Sequence, residues 1–337
     1  MDAIVLVGGQ GTRLRPLTAT RHKSLVPVRN RPAIEHLFGW LEASGFERAI
    51  LAIGRFNDDL ADAYRAGRPG RLRVVLVEET ERLESGGAIR NAVQQCGVQG
   101  RFVVCNGDVF VNFAFDRALA AHERVRADLT MALYPVDDPS MFGVAAVDDG
   151  GLITGFVEKP APGAAPSNLI NAGIWIFEPH LVAEIPPGAV RVEETLFPSL
   201  VARRRPVLGY QIEGTWADIG TPARYLALNQ ALLDAAGGAS DIAVAEIDAT
   251  AVVSCSSLGP GTRVEAGAVV EGSIVWENVR IERQARVVNS IIADGAVVGV
   301  GATLDGAVIG SNATVPAGAV LGPGISVGVG ERFEAKA

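Results

Sequence analysis

The residues best suited to chemistry open the chain. An apolar run, Ile4 to Val7, passes directly into Gly8-Gly9-Gln10-Gly11-Thr12-Arg13. Glycine has no Cβ and tolerates positive φ, so backbone amides in such a loop can come close to phosphate oxygens. Arg13 adds a planar guanidinium able to grip a triphosphate in a bidentate way, and Lys23, in Lys23-Ser24-Leu25-Val26-Pro27-Val28, adds a second cation. Two commoner phosphate loops do not fit: a dinucleotide fingerprint needs glycine where Leu14 stands, and a Walker A loop needs Gly-Lys followed by Ser or Thr. Alone, Gly9-x-Gly11 reads equally well as a structural turn.

Two carboxylates follow far downstream. Asp108 comes just after the strand-like stretch at 101–105, where an acidic side chain would face the ligand crevice of an open α/β sheet. An isolated Gly-Asp is also an ordinary turn or cap, and Asp218 carries the same two readings. As a pair they suit one Mg²⁺, a hard cation that takes one or two carboxylates and completes its shell with phosphate oxygens and water.

Such groups need a frame, and residues 1–235 supply the pattern of one. Strand-like runs at Ile4 to Val7, Ala49 to Ile53, Val74 to Val77 and Phe102 to Cys105 alternate with helical patterns. Ile34, Leu37, Phe38 and Leu41 share one helical face, and the helical stretch from Asp58 to Ala66 is closed by Gly67. This order predicts an α/β fold with a doubly wound, mostly parallel sheet whose ligands sit beyond the carboxyl ends of the strands. Gly8, Glu79 and Asp108 all fall there.

After Leu233 the pattern changes. The small residues Ala235 to Ser240 set a linker at 236–245 between a first domain at 1–235 and a second at 246–337. Aliphatic residues then recur at Leu258, Val264, Val270, Val275, Ile281, Val287, Ile292, Val298, Leu304, Ile309, Val315, Leu321 and Val327, mostly six apart. Leu258, Val275, Ile292 and Ile309 are each 17 apart, as three short strands per coil of a triangular solenoid require. The expectation is a left-handed parallel β-helix of hexapeptide repeats. A β-sandwich would instead show two-residue alternation and longer, aromatic-rich strands.

Taken in order, GGQGTRLRPLT, KSLVPV, Asn106-Gly107-Asp108, Gly143, Glu158-Lys159-Pro160, Asn171-Ala172-Gly173 and Trp216-Ala217-Asp218-Ile219-Gly220-Thr221-Pro222 resemble the sugar-phosphate nucleotidyltransferase (NDP-sugar pyrophosphorylase) family over nearly the whole chain. Ser24 departs from the proline common after the lysine. The resemblance implies that Leu6, Gly8, Gly9, Gly11, Thr12, Arg13, Glu79, Gly86 and Asp108 contact the nucleotide, and that Gly143, Glu158, Lys159 and Asn171 contact the sugar phosphate. It assigns the metal to Asp108 and Asp218, and catalysis to those two with Arg13 and Lys23. The implied reaction is attack by a sugar 1-phosphate oxygen on the α-phosphorus of a nucleoside triphosphate, with pyrophosphate leaving. The Leu-Val-Gly-Gly opening with a repeat tail is most similar to mannose-1-phosphate guanylyltransferases, implying GTP and mannose 1-phosphate. The stretch Leu83-Glu84-Ser85-Gly86-Gly87 also resembles some uridylyltransferases for amino-sugar phosphates, and thymidylyl or uridylyl transfer to glucose 1-phosphate is the other variant of the same chemistry.

Composition bounds the alternatives. With a formal charge of −8 and scattered basic residues, the chain lacks the footprint of a nucleic-acid binder. Three distant cysteines with no CxxC pair suggest a reducing compartment, and no apolar segment suits a signal peptide or a membrane span, so a cytoplasmic protein is expected. All four histidines precede the repeats, so the tail lacks the base an acyltransferase usually employs and is expected to be structural or to support a homo-oligomer. A catalytically silent, NDP-sugar-binding regulatory protein is the competing class, and retention of Arg13, Lys23, Asp108 and Asp218 argues against it.

Overall fold

In the computed structural model, residues 1–54 and 58–334 are described. The chain forms two compact units, one of residues 1–9 and 34–216, the other of residues 10–33 and 217 onward. The strands of the first half, in chain order, are β1 (Asp2–Leu6), the short antiparallel pair β2 (Pro27–Val28) and β3 (Arg31–Pro32), β4 (Arg48–Ile53), β5 (Arg73–Glu78) and β6 (Phe102–Asn106). Helices α1 (Ala33–Ala43), α2 (Asp58–Arg65) and α3 (Glu84–Cys96) connect them. Ile34, Leu37, Phe38 and Leu41 are fully buried on α1, as their spacing requires. There follow β7 (Val109–Asn112), α4 (Phe115–Val125), β8 (Leu129–Pro135), β9 (Gly143–Val147), β10 (Ile153–Glu158), β11 (Leu169–Phe177), α5 (Leu196–Ala202) and β12 (Val207–Gln211).

The main sheet has the order β10-β9-β11-β6-β1-β4-β5, with β8 against β11 and β12 against β8. Its doubly wound half, β6-β1-β4-β5, is parallel throughout. Beyond β6 the strand β11 runs antiparallel to β6, β8 and β9. Parallel strands covered on both faces are apolar without alternation, and Ala3, Ile4, Val5, Ala49, Ile50 and Leu51 are fully buried accordingly. The core beneath joins Ile4, Ile50, Phe102 and Val104 to Trp175, Phe177 and Phe197.

The second unit carries β13's last residues, helix α6 (Pro222–Ala235) and the repeats; β13 spans Thr215–Asp218. From Asp241 the chain winds through three parallel sheets of six, five and five short strands, a left-handed parallel β-helix. The first coil strand, Asp241–Ile242, falls within the stretch expected to be a linker. Most coils pair residues 17 apart, such as Val264↔Ile281 and Leu304↔Leu321, while the first step is one residue shorter, Ile242↔Leu258, and the last one longer, Ile309↔Val327. All thirteen aliphatic positions of the repeat are at most 3% exposed, so each coil covers the inward residues of the last. Serines recurring at the same period add a buried polar ladder: Ser256 Oγ accepts from the Ser273 amide, Ser273 Oγ from Ser290 and Ser290 Oγ from Ala307, at 3.0–3.1 Å. No helix among the described residues is long and apolar enough to cross a membrane.

Candidate active site

In the first unit, β9 and β10 pair Gly143 with Glu158. A Cβ on Gly143 would lie 2.6 Å from the Phe156 ring and 2.7 Å from Glu158 Oε2, so glycine here leaves room for the carboxylate rather than merely a turn. Glu158 is largely buried, and its Oε1 sits 3.4 Å from Lys159 Nζ and 3.9 Å from Arg191 Nη2. Lys159 is held at φ 47 while its amide donates to Phe142 O, and its side chain is half exposed. A partly screened carboxylate flanked by two cations can accept from hydroxyls while the cations take a phosphate. Asn171 lies at the bulge of β11, where its Oδ1 accepts from Trp175 Nε1 at 2.7 Å and from the Gly173 amide at 3.0 Å. With the oxygen so engaged, the amide nitrogen is the donor that can address a ligand.

The end of β1 lies in the same unit. Leu6 pairs with Asn106, and Leu6 O accepts from the Gly107 amide at 2.9 Å. A Cβ on Gly107 would approach Val7 Cγ1 to 2.3 Å, which explains the glycine that brings Asp108 out beyond the strand. Gly8 and Gly9 are different. Both are exposed, neither has positive φ, and apart from its chain neighbours no atom of the described residues lies within 4 Å of a Cβ built on either. The protein's own packing therefore does not require glycine at these two positions.

Two further positions expected at the nucleotide have structural partners. Glu79 is buried, and its Oε2 accepts from the Leu83 amide ahead of α3 at 3.2 Å. Burial lifts its carboxyl above the ordinary range, an effect that the Leu83 amide partly offsets. Gly86 donates its amide to Val190 O at 2.8 Å, and a Cβ there would press on Val190 and Ile185 at 2.9–3.0 Å. Its neighbour Glu84 has φ 57, the left-handed region where glycine is unstrained.

In the second unit, Gly11 (φ 60) starts the 3-10 turn Thr12–Leu14, and its carbonyl accepts from Thr18 Oγ1 at 2.7 Å. Leu14 and Leu17 are fully buried and anchor the loop, while Thr12 and Arg13 face outward. Lys23 is 7% exposed, and its Cβ would lie 3.1 Å from any Cβ added to Gly11, so the lysine stem packs under the glycine. Asp218 Oδ2 accepts from the Gly220 amide at 3.1 Å, and Arg224 Nη1 contacts both carboxylate oxygens at 3.0 and 3.2 Å. A Cβ on Gly220 would fall 2.3 Å from Asp218 Oδ2 and 3.5 Å from Arg13 Nη2, so that glycine lets the carboxylate and guanidinium share one neighbourhood.

Residues 2–235 match the nucleotidyl transferase family, and residues 240–334 match the GlmU-like C-terminal hexapeptide family. This chain belongs to the nucleotidyl transferase family. It is 33% identical over 288 residues to a mannose-1-phosphate guanylyltransferase of Mycobacterium tuberculosis, covering 79% of this chain and 78% of that one. To the catalytic subunit beta of the Danio rerio mannose-1-phosphate guanylyltransferase it is 36% identical over 230 residues, 67% of this chain and 63% of that protein. Among solved structures, HddC from Yersinia pseudotuberculosis superposes with a TM-score of 0.59 at 25% identity, covering 68% of this chain and 99% of HddC.

For a nucleotidyl transferase, the two arginines at these sites are the residues that motif reading missed. Arg191 approaches Glu158 but lies 33 positions away in an irregular segment, so no local pattern marks it. Arg224 lies in the first turn of α6, three residues after the Thr221 cap that accepts from its amide at 3.3 Å. The Thr221-Pro222 helix start was a usable signal: a side chain in that first turn can reach back to Asp218.

Proposed function

We propose that this nucleotidyl transferase joins GTP to mannose 1-phosphate, giving GDP-mannose and pyrophosphate. The observation that carries the reading is the Glu158–Lys159–Arg191 cluster, with Glu158 against Gly143, together with similarity to enzymes named mannose-1-phosphate guanylyltransferase at 33–36% identity. One oxygen of the sugar phosphate attacks the α-phosphorus as the bond to the pyrophosphate oxygen breaks, with no covalent enzyme intermediate. Lys159 and Arg191 hold the sugar's phosphate, Glu158 accepts from sugar hydroxyls, and the Asn171 amide nitrogen donates to one. The open amides at Gly8 and Gly9 come close to the triphosphate, and Arg13 and Lys23 balance charge on the α-phosphate and the departing pyrophosphate.

The family is typically metal-dependent, and we assign Mg²⁺ to Asp108 and Asp218. Among the described residues no three His, Cys, Asp or Glu side chains group as a metal cage. With two carboxylates, the ion would be completed by phosphate oxygens and water and would supply positive charge at the phosphates. Asp218 would hold such an ion while also keeping its ion pair with Arg224.

The test is a pyrophosphate-release screen crossing GTP, UTP, dTTP, CTP and ATP with several aldose 1-phosphates in the presence of Mg²⁺. GTP with mannose 1-phosphate should turn over fastest. If UTP with an amino-sugar 1-phosphate turned over fastest, the resemblance at Leu83-Glu84-Ser85-Gly86-Gly87 would displace the guanylyl reading. If no pair released pyrophosphate, a regulatory NDP-sugar-binding role would replace it.

A further inference from the structure

The segment that follows the phosphate loop is built into the β-helix. Arg21 stacks its guanidinium over Trp276, 4.8 Å from the ring centroid, and makes two parallel 3.1 Å bonds to the Glu277 carboxylate. Its Nη2 also lies 3.7 Å from Asp294 Oδ1, which accepts from Ser311 Oγ at 3.0 Å; that hydroxyl is 3.0 Å from Thr20 Oγ1. On the other flank of Lys23, Asn30 Nδ2 donates to Asp241 O and Leu258 O at 2.9 and 3.0 Å, and the Arg29 amide donates to Asn229 Oδ1 at 2.9 Å. Tyr225, fully buried, donates to Pro27 O and accepts from Trp276 Nε1 at 3.0 Å. Coils of the repeat and helix α6 thus grip both flanks of the Lys23–Leu25 turn.

We propose that Arg21 is a positioning residue for nucleotide binding, and that the β-helix acts as the template that sets the phosphate loop. The path is short: Arg21 is seated on Trp276 and Glu277, it precedes the Lys23–Leu25 turn by two residues, and the Lys23 stem packs under Gly11, which opens the turn bearing Arg13. A bidentate pair over an aromatic face fixes both the direction and the rotation of the side chain, which lysine cannot reproduce. Loop amides and Arg13 that are held in place hold a triphosphate better than mobile ones, because less ordering remains to be done on binding. Within its own unit the β-helix supports Gly11, Arg13 and Lys23, which are assigned to the nucleotide's phosphates, and none of Glu158, Lys159 or Arg191, so the effect is expected on the nucleotide.

The inference rests on the proposed transferase reading, and the experiment separates the two. In the full-length chain, Arg21→Ala, Glu277→Gln and the exchange Arg21→Glu with Glu277→Arg are compared with wild type by circular dichroism, by steady-state kinetics on the best substrate pair, and by calorimetric binding of inorganic pyrophosphate with Mg²⁺. Both single variants should keep wild-type secondary structure, raise KM for the nucleotide about tenfold, weaken pyrophosphate binding by a similar factor, and leave KM for the sugar phosphate within about twofold. The exchanged pair should recover part of the loss, and Arg21→Lys should recover less. An unchanged nucleotide KM and pyrophosphate affinity in a folded Arg21→Ala variant overturns the inference, as does an equal rise in both Michaelis constants. If wild-type protein neither turns over any pair nor binds pyrophosphate, the transferase reading itself fails, and the inference with it.

Discussion

Gly8 and Gly9 have neither a neighbour to avoid nor a backbone angle that demands glycine. Keeping glycine at such a site costs unfolded-state entropy, so replacement by alanine is worth about 0.4–1 kcal/mol of stability where the native φ suits it. Gly9→Ala should therefore leave the melting temperature unchanged or slightly raised. If the loop amides receive a triphosphate, the same methyl group stands in the ligand's place, and KM for the nucleotide should rise by at least about tenfold. Melting curves and steady-state kinetics on one preparation check both halves; a stable variant with a normal nucleotide KM would show that the loop does not meet the phosphates. Gly143 gives the contrasting case, because its missing Cβ makes room for Phe156 and Glu158 of the protein itself. Glycines implied by one resemblance thus differ in what the fold itself asks of them: nothing at positions 8 and 9, and room for two side chains at 143.

The elements most readable from the chain were those whose contacts repeat locally. The α1 face, the parallel strands around β1 and the thirteen-residue aliphatic column follow from a period of 3.6 residues, short continuous apolar runs and a period of about 6 residues, which sequence displays directly. The place of β11 was not readable, because its neighbours β6, β8 and β9 are chosen by long-range pairing and its bulge at Asn171 to Trp175 leaves no periodic mark. Arg191 escaped for the same reason, since it meets Glu158 across 33 positions, whereas Arg224 was within reach of the Thr221-Pro222 helix start. The serine ladder was available to a reader who extended the 17-residue period to polar residues, since Ser256, Ser273 and Ser290 obey it. Ser273 is fully buried, its Oγ accepts from the Ser290 amide and donates to Glu271 O at 2.8 Å. Ser273→Ala would leave that buried amide without its acceptor, and such a loss costs about 1–3 kcal/mol. Chemical denaturation should show a destabilisation in that range, whereas an unchanged midpoint would mean that the coil closes on another acceptor.

At the scale of the molecule, the division into units cuts across the boundary that composition suggested near residue 235. Residues 10–33 are grouped with the repeats, although more than 200 residues of chain separate them from the first coil. Their attachment has a specific consequence for a chain ending after Ala235. Such a chain would keep Tyr225 and Asn229 but lose Trp276, Glu277, Asp294, Ser311 and the carbonyls of Asp241 and Leu258, the acceptors and stacking face that hold Thr20, Arg21 and Asn30. Net worth of about 0.5–1.5 kcal/mol for each lost hydrogen bond makes local opening of this segment at least about tenfold more frequent. Trypsin reads that opening directly, because Arg21, Lys23 and Arg29 lie within the segment and proteolysis follows the open population when reclosing is fast. Arg82 and Arg117, with side chains 83% and 70% exposed in the first unit, provide internal reference cuts. Relative to those, cleavage at Arg21, Lys23 and Arg29 should accelerate about tenfold or more in the shortened chain. Equal ratios in the two chains would mean that the first 33 residues hold their fold without the β-helix, and that the repeats serve some other purpose.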